Sequence, residues 1–365
     1  MRVIERMESI GVAWPDLNKG LTYTDTVPPS KSGSSLIDFY SKTHKTSAPL
    51  QGWVHRIHNG QITIDGQIVT DPDEILRGGL ELVYHRLPWR EPDAPFLLGV
   101  LYEDDDLIAL NKPSGLQVLP GGLFQQRTVL SQLQWRAWKR DSFLILEAQV
   151  PHPVPVHRLG RGTSGILLCA KTKLAKARLA SYFADGTSVV ANQRCTENTK
   201  GPSSVRKILK VYRALVSGII NEDEVVIEQP IGMMKYPGVA KGLYAASVSG
   251  KPALSKVGVL ERDFQGNQTL VQVEIQSGRP HQIRIHLSFI GHPLIGDPLF
   301  VAGGHPGSFD SESGDGGHSQ DGGYPRPTRP VPGDCGYYLH AHRVVLHHPT
   351  TNEWSKTVNP FLVLN

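Results

Sequence analysis

The sequence predicts an α+β fold: a mixed, mainly antiparallel sheet with flanking helices, plus a small N-terminal α+β module. Strand patterns recur over residues 166–170, 208–216, 224–228, 254–261, 268–276 and 343–347. Beyond residue 98, helical patterns stand out only over residues 173–183 and 282–290. The strands therefore do not alternate with long helices, which argues against a doubly wound parallel sheet. A proline-rich linker at residues 90–95 separates the module from the large domain.

Composition excludes several classes of protein. The chain has 365 residues, of which 39% are hydrophobic and 20% are charged, so it can bury a sizeable core. No apolar run approaches the roughly 18 residues of a membrane span. The first 16 residues contain acids and no apolar core, which is unlike a secretory signal. A net charge of +4 permits a polyanionic partner but requires local clustering to attract one.

Cysteine usage favours a reducing compartment. Cys169, Cys195 and Cys335 are scattered and lack paired spacing. Neither a disulfide framework nor a zinc site is expected from this pattern. We therefore expect an intracellular protein, cytoplasmic by default, although the sequence does not exclude an organelle or the nucleus.

The N-terminal region is expected to comprise a loose lead-in over residues 1–30 and a module over residues 31–90. Residues 36–40 suit a helix with Ser34 or Ser35 as its N-cap. Residues 51–58 suit a second helix, which Asn59-Gly60 would end because both residues tolerate the left-handed conformation. Two strands follow over residues 61–66 and 80–86.

This helix, helix, strand, strand order resembles the alpha-L motif, a small RNA-binding module of some ribosomal proteins. The resemblance implies that the second helix and its turn bind RNA, through Trp53, His55, Arg56 and His58. The alternative is a packing appendage that makes no contact with RNA.

The large domain is expected over residues 98–362. Residues 100–112 suit a hairpin with acidic residues at its turn. Two stretches look like flexible insertions, because residues 186–205 and 303–334 are polar and show no apolar periodicity.

Four motifs follow one another in this domain: Asn111–Val118, His157–Gly165, Lys210–Val216 and Ser277–Leu287, the last continuing to Asp297. The run Leu339–Arg343 follows them. In order and spacing these segments resemble the RluA-type pseudouridine synthases, over residues 100 to 360. Each motif alone is weak, but together they identify the chain as a member of that family.

The resemblance implies the pseudouridine synthase fold and the conversion of uridine in RNA to pseudouridine. The enzyme breaks the bond between ribose and base, rotates the base and rejoins it through carbon, without a cofactor or metal. The base must first flip out of the RNA, which costs a few kcal/mol. RNA is therefore the expected partner, with ribosomal or transfer RNA as the substrate class. We expect a monomer and no membrane partner.

The resemblance also assigns roles to single residues. Arg158 matches an arginine that enters the space of the flipped base, where a planar guanidinium can stack and bridge phosphates. Tyr212 matches the tyrosine that packs against the target uracil. Arg284 matches the arginine that pairs with the catalytic carboxylate, and Arg279 would contact phosphate or brace its loop. Thr163, Ser164 and Gly165 are expected to shape the loop, and Lys112 to be structural.

Gly160 departs from the family at its catalytic position, where an aspartate acts at the ribose and base. Glycine can do neither nucleophilic nor acid–base chemistry, and Arg284 would lose its partner. Asp185, Asp297 and Asp104–Asp106 are possible substitutes, although Asp297 has its own place in the motif. Three hypotheses remain: an active synthase with an altered site, an inactive RNA-binding descendant, or a variant codon at this position.

Several histidines invite a metal hypothesis, but their spacing does not support one. His281 and His286 are five residues apart, which is off register for one helical face, and His340, His342, His347 and His348 cluster elsewhere. No His-Glu-x-x-His or Cys-x-x-Cys spacing accompanies them. Structural or RNA-facing histidines are the expectation.

Overall fold

A computed structural model describes residues 8–45, 47–141, 151–192, 208–237, 239–307, 318–320, 322–323, 325–327 and 333–351. The five helices of this part of the chain are α1 (Leu36–Thr43), α2 (Leu50–His58), α3 (Val129–Asp141), α4 (Lys173–Asn192) and α5 (Gln282–Phe289). The strands are β1 (Ser9–Ile10), β2 (Leu21–Thr26), β3 (Ile62–Ile64), β4 (Gln67–Val69), β5 (Glu81–Arg86), β6 (Leu98–Glu103), β7 (Leu107–Lys112), β8 (Val154–Pro155), β9 (Ser164–Ala170), β10 (Ile208–Ser217), β11 (Glu224–Ile227), β12 (Ile231–Tyr236), β13 (Val239–Ala246), β14 (Ser255–Asp263), β15 (Gln268–Ile275), β16 (His318–Gln320), β17 (Pro325–Pro327) and β18 (Leu339–Leu346).

One ten-stranded sheet organises the large domain, in the order β1-β6-β7-β9-β18-β10-β15-β14-β11, with β8 paired to β9. The pair β9–β18 is parallel and the other described pairs of this sheet are antiparallel. The predicted fold class, a mixed and mainly antiparallel sheet with few helices, is therefore confirmed. The predicted strands at residues 166–170, 208–216, 224–228, 254–261, 268–276 and 343–347 all lie in it.

Three helices cover this sheet because each has an apolar stripe. Leu133 of α3 packs with Leu110 and Leu167 from β7 and β9. Leu179 of α4 packs beneath the same strands, and Leu287 of α5 packs against β10 and β15. The apolar periodicity of the sequence predicted α4 and α5 but not α3, because charged and tryptophan side chains interrupt the apolar pattern of α3. It also missed the hairpin β12–β13.

The N-terminal module has a four-stranded sheet in the order β2-β5-β3-β4, and α1 and α2 pack on it. Both predicted helices and both predicted strands are present. Ser35 is the N-cap of α1, where its hydroxyl accepts a hydrogen bond from the backbone N–H of Asp38 at 3.3 Å. Gly60 ends the turn after α2 with φ of +68°.

The expectation of a loose lead-in over residues 1–30 is corrected for the described part of that stretch. Strand β1 pairs with β6 of the large sheet, and β2 pairs along its whole length with β5. Residues 1–7 lie outside the described part. The lead-in was misjudged because short edge strands have no periodicity of their own and form only through long-range pairing.

The two predicted insertions contain some regular structure. Helix α4 continues to Asn192, into the first predicted insertion, whose remaining residues lie outside the described part. In the second, the short strands β16 and β17 pair with each other, and the carbonyl of Gly322 accepts hydrogen bonds from Leu87 N and Gln61 Nε2. In the described part of the chain, no helix is both long and apolar enough to cross a membrane.

Candidate active site

The loop His157–Gly165 leads into β9, and the side chain of Lys112 supports it through hydrogen bonds from inside the protein. The Lys112 ammonium donates to the carbonyls of Pro113, Leu116 and Arg161 at 2.8–3.1 Å and is fully buried. Burial lowers the pKa of Lys112 to about 7. Lys112 therefore holds two motifs together inside the protein, in agreement with the structural role expected for it.

The second half of the loop is fixed by close contact with β18. A Cβ at Gly165, which has φ of +103°, would lie 2.3 Å from the carbonyl of Ala341, so glycine is required there. The Ser164 hydroxyl lies 2.9 Å from His340 Nδ1, and the Thr163 hydroxyl lies 3.2 Å from the Tyr337 hydroxyl. These contacts support the loop-shaping role predicted for residues 163–165.

The opposite wall is the segment that enters α5. His281, the residue before the helix, adopts a left-handed conformation with φ of +55°. The Gln282 side-chain oxygen accepts from the Ser277 hydroxyl at 2.7 Å and from the Arg279 N–H at 3.1 Å, which ties this segment to the helix. Burial lowers the pKa of His281 to about 4, with a further contribution from Arg284, so its ring is neutral near pH 7.

A cleft of about 690 Å³ separates these two walls. Cationic or imidazole side chains dominate the polar part of its lining: His157, Arg158, Arg161, Lys210, Arg279, His281 and Arg284. Among the described residues that line it, Asp334 is the one carboxylate. The cleft therefore suits a polyanion that presents a small planar group.

Tyr212 forms the floor of the cleft at the bulge of β10 against β18. Its ring packs between two apolar clusters of the large sheet and is partly exposed. Burial raises the pKa of Tyr212 to about 12, so its hydroxyl stays protonated at neutral pH. Tyr212 thus adds an aromatic side chain to the lining of the cleft.

Arg284 has a counter-charge, which corrects the expectation that Gly160 leaves it unpaired. Its Nε and one terminal nitrogen donate to the two carboxylate oxygens of Asp297, each at 2.7 Å, in a pair shielded from solvent. Burial acts to lower the pKa of Arg284, but the hydrogen bonds to Asp297, together with the charge interactions with Tyr337, Asp297 and Asp334, outweigh burial and raise the pKa. The guanidinium also lies against the rings of Tyr337 and Phe300. Asp297 thus has the structural role expected from its place in the motif.

The backbone at Gly160 is exposed to the cleft, and a tyrosine hydroxyl lies beside it. A Cβ built there would be 2.9 Å from the Tyr337 hydroxyl and 3.3 Å from the Thr163 hydroxyl. The loop also turns at this point, since the Thr163 N–H donates to the Gly160 carbonyl at 3.1 Å. A side chain at position 160 would therefore require Tyr337 to shift.

The carboxylates proposed from sequence as substitutes do not line the cleft among the described residues. Asp104 and Asp106 lie in the β6–β7 turn, where Asp104 pairs with His348 at 2.9 Å and Asp106 accepts from the Thr172 hydroxyl at 3.0 Å. Asp297 is fully engaged by Arg284. Asp185 lies in α4, but its side chain is outside the described part.

Sequence reasoning missed Asp334 and Tyr337, which come from the segment before β18. The signal was weak: Asp334 lies in a Gly-Asp-Cys-Gly run that two residues separate from the Leu339–Arg343 motif. Of the predicted RNA-contacting residues in this domain, Arg158 is exposed at the rim. Arg279 also lines the cleft, while its Nε donates to the Pro252 carbonyl at 3.0 Å.

Trp53 and Arg56 are not on the surface of the N-terminal module, which corrects their assignment to an RNA-contacting face. Both side chains are almost fully buried, and the Arg56 guanidinium lies 4.8 Å from the Trp53 ring and 5.0 Å from the Tyr84 ring. They stabilise the module core instead. His55 and His58, which the same expectation named, are exposed.

Several of the histidines named in the sequence make hydrogen bonds to protein groups: His281, His286, His340 and His348. His286 donates through Nε2 to the Gln229 carbonyl, and its Nδ1 accepts from the Ser255 hydroxyl, both at 2.9 Å. Because that ring is fully buried, its pKa falls to about 4. Nowhere in the described ranges do three or more His, Cys, Asp or Glu side chains come together as metal ligands would.

The mainly antiparallel sheet and the cationic cleft are compatible with an enzyme that acts on a nucleotide of RNA, and comparison with known proteins identifies its family. The RNA pseudouridylate synthase family matches residues 106–289. RNA pseudouridine synthase 5 of Arabidopsis thaliana is 63% identical, over 93% of this chain and 92% of that protein. RNA pseudouridine synthase 5 of Oryza sativa subsp. japonica is 61% identical, over 96% of this chain and 89% of that protein. Ribosomal large subunit pseudouridine synthase D of Pseudomonas aeruginosa is 32% identical, over 69% of this chain and 68% of that protein.

The chain belongs to the RNA pseudouridine synthase family, and to its RluA-type members.

Proposed function

We propose that the cleft holds one uridine flipped out of an RNA and isomerises it to pseudouridine. One observation carries the proposal: the His157–Gly165 loop and the segment before α5 enclose a cationic cleft with Tyr212 at its floor. An aromatic face suits a splayed uracil, and surrounding cations suit its phosphates. Membership of the family supports the reaction.

In this proposal Tyr212 stacks on the uracil and supplies a protonated hydroxyl beside it. Arg158 makes no hydrogen bond or ion pair with another described residue and stands exposed at the rim, so it is available to the RNA. A guanidinium there can stack where the base was and contact phosphate. Arg284 acts indirectly, since its pair with Asp297 fixes the wall of the cleft.

We assign ribosomal or transfer RNA as the substrate class and an intracellular, reducing site of action. The name of the Pseudomonas relative, a ribosomal large subunit enzyme, supports ribosomal RNA as the first RNA to test. The scattered cysteines support the reducing compartment. We also propose that the protein works as a monomer.

The N-terminal module is proposed to extend the RNA-binding surface. Gln51, His55 and His58 of α2 are all exposed and recur at the spacing of one helical face. This stripe replaces the assignment to Trp53 and Arg56. If it contacts RNA, the double change His55→Ala and His58→Ala weakens RNA binding, whereas Lys42→Ala, on the exposed Lys42–Asp38 pair of α1, leaves it unchanged.

The decisive experiment maps pseudouridine in RNA from cells with and without the protein, and then repeats the mapping after adding purified protein to the deficient RNA. The proposal expects sites that vanish with the protein and return on its addition. Tyr212→Ala should abolish their return, because the floor of the cleft is lost. Sites that persist in the deficient cells and no new product in vitro would contradict the proposal.

One observation favours a second function, RNA binding without turnover: position 160 has no carboxylate. That function predicts salt-dependent RNA binding and no pseudouridine. It also predicts that Gly160→Asp creates activity once Tyr337→Phe removes the hydroxyl lying 2.9 Å from the new Cβ. Ordinary turnover by the unaltered chain would refute it.

A further inference from the structure

Asp334 supplies a carboxylate to the cleft, and position 160 of the His157–Gly165 loop does not. It lines the same cleft as Gly160, and no other aspartate or glutamate of the described residues does so. Its negative charge also acts on the pKa values of His281 and Arg284 in the opposite wall of the cleft, and of Tyr337 in its own segment. Asp334 therefore lies within electrostatic reach of the groups that surround a bound nucleotide.

Two glycines of the loop make this placement possible. A Cβ at Gly162 would lie 2.6 Å from the Asp334 carbonyl and 2.8 Å from Cys335 Cα, so no larger residue fits under that backbone. In the same way, the absence of a side chain at Gly160 makes room for Tyr337, which lies three residues after Asp334. Segment 334–337 thus crosses directly over the loop, which brings a carboxylate to the cleft from a distant part of the sequence.

The Asp334 carboxylate is held by one oxygen and open at the other. Arg161 donates to Oδ1 through Nε at 2.8 Å and through a terminal nitrogen at 2.6 Å. The Cys335 thiol also approaches Oδ1, at 3.8 Å. Oδ2 makes no hydrogen bond with a described residue, and the side chain is 47% exposed. An arginine that fixes one oxygen leaves the other free for a ligand.

We propose that Asp334 is the catalytic carboxylate of this chain, replacing the one that position 160 lacks. The proposal rests on the proposed function, pseudouridine formation in this cleft. Breaking the N1–C1′ bond leaves its electron pair on the uracil and positive charge at the ribose carbon, which the carboxylate stabilises. After the base rotates, C5 forms the new bond to C1′.

The carboxylate then removes the proton from C5, and N1 gains a proton in its place. Atoms and charge balance, so the reaction needs no oxidant, reductant or third substrate. The Arg161–Asp334 pair keeps the carboxylate in place during these steps, and Arg161 is a positioning residue.

The competing explanation is that Asp334 only ties its segment to the loop. The test uses the full chain and RNA from cells that lack it, labelled with tritium at uridine C5, so that release of tritium reports the reaction. Asp334→Asn retains a hydrogen-bonding group for Arg161 but removes the base. Asp334→Glu retains the carboxylate, and Arg161→Gln removes the ion pair that positions it. Asp223→Asn is the matched control, because Asp223 makes a 2.7 Å pair with Arg262 outside the cleft.

We expect Asp334→Asn to lower the single-turnover rate by about 100-fold or more, the usual range for loss of a general base. RNA affinity should change by no more than about threefold, since one exposed charge is altered. Asp334→Glu should retain part of the rate, and Arg161→Gln should lose less than Asp334→Asn.

Equal losses for Asp334→Asn and Arg161→Gln, or a rate for Asp334→Asn within about threefold of wild type, would overturn the role of Asp334 and leave the proposed function intact. No tritium release by the wild-type chain would overturn both proposals.

Discussion

The buried pair between Arg284 and Asp297 allows a quantitative prediction through the change Asp297→Asn. The substitution keeps the shape of the side chain but removes its charge and turns one acceptor into a donor. That donor then faces the Arg284 nitrogens, which lie 2.7 Å from the two carboxylate oxygens. The remaining oxygen can still accept from the Leu299 and Phe300 N–H groups. The main loss is therefore the counter-charge of a buried cation.

Removing one partner of a buried ion pair costs about 3–5 kcal/mol, because the other charge stays buried and unpaired. The free energy of unfolding of Asp297→Asn should fall by that amount, which is roughly 150-fold to 5000-fold in the folding equilibrium. The Arg284 and Asp297 side chains are 2% and 0% exposed, so solvent cannot screen the loss. Pseudouridine formation should fall as well, since Arg284 lines the cleft.

Urea unfolding followed by circular dichroism measures the change in stability. Asp223→Asn serves as the control, because the Asp223 side chain is 87% exposed and such a pair contributes at most about 1 kcal/mol. Adding Arg284→Met to Asp297→Asn should restore part of the lost stability, since no buried cation is then left without a partner. A loss below about 1 kcal/mol for Asp297→Asn, or a further loss on adding Arg284→Met, would refute this reasoning.

Three further predictions follow from the same structure. Gly162→Ala should destabilise the chain by about 1–3 kcal/mol and impair the reaction, because its Cβ would clash with backbone atoms. Gly258→Ala should be tolerated, since nothing lies within 4 Å of a Cβ there. Equal urea unfolding midpoints for the two variants would contradict this prediction. His286 should make stability fall as the pH falls from 6.5 to 4, because the unfolded chain then binds a proton that the folded ring does not, a loss on the order of 3 kcal/mol. If His286→Gln shows the same pH dependence of the urea midpoint, that explanation fails. Ser35→Ala should lower the free energy of unfolding by about 1 kcal/mol through loss of the α1 N-cap, and Lys42→Ala should lower it by only a few tenths of a kcal/mol. Equal shifts of the thermal unfolding midpoint in the two variants would show that the Ser35 cap does not stabilise the helix.

Local patterns predicted the elements whose conformation depends on nearby residues. The cap at Ser35, the turn at Gly60 and the apolar stripe of α4 each act within a few residues, and each prediction is confirmed. Strands β1 and β2 could not be predicted in this way, because an edge strand is defined by the partner it pairs with. The burial of Trp53 was missed for a related reason. A tryptophan on an amphipathic helix suits an RNA-binding face and a core equally, and only the packing of α2 on its sheet distinguishes them.

The sequence alone was enough to identify the family and to predict that Gly160 occupies its catalytic position, because motifs such as His157–Gly165 are contiguous in the chain. The groups that surround position 160 became known only from the folded structure. The fold pairs Arg284 with Asp297. It also brings Asp334 to Arg161 of the loop, although the two residues are 173 positions apart in the sequence. The physical reason is that a salt bridge or a missing Cβ acts over a few ångströms in space. Residues that meet only in the folded protein show no periodic pattern in the sequence, so their contact could not be predicted from the sequence.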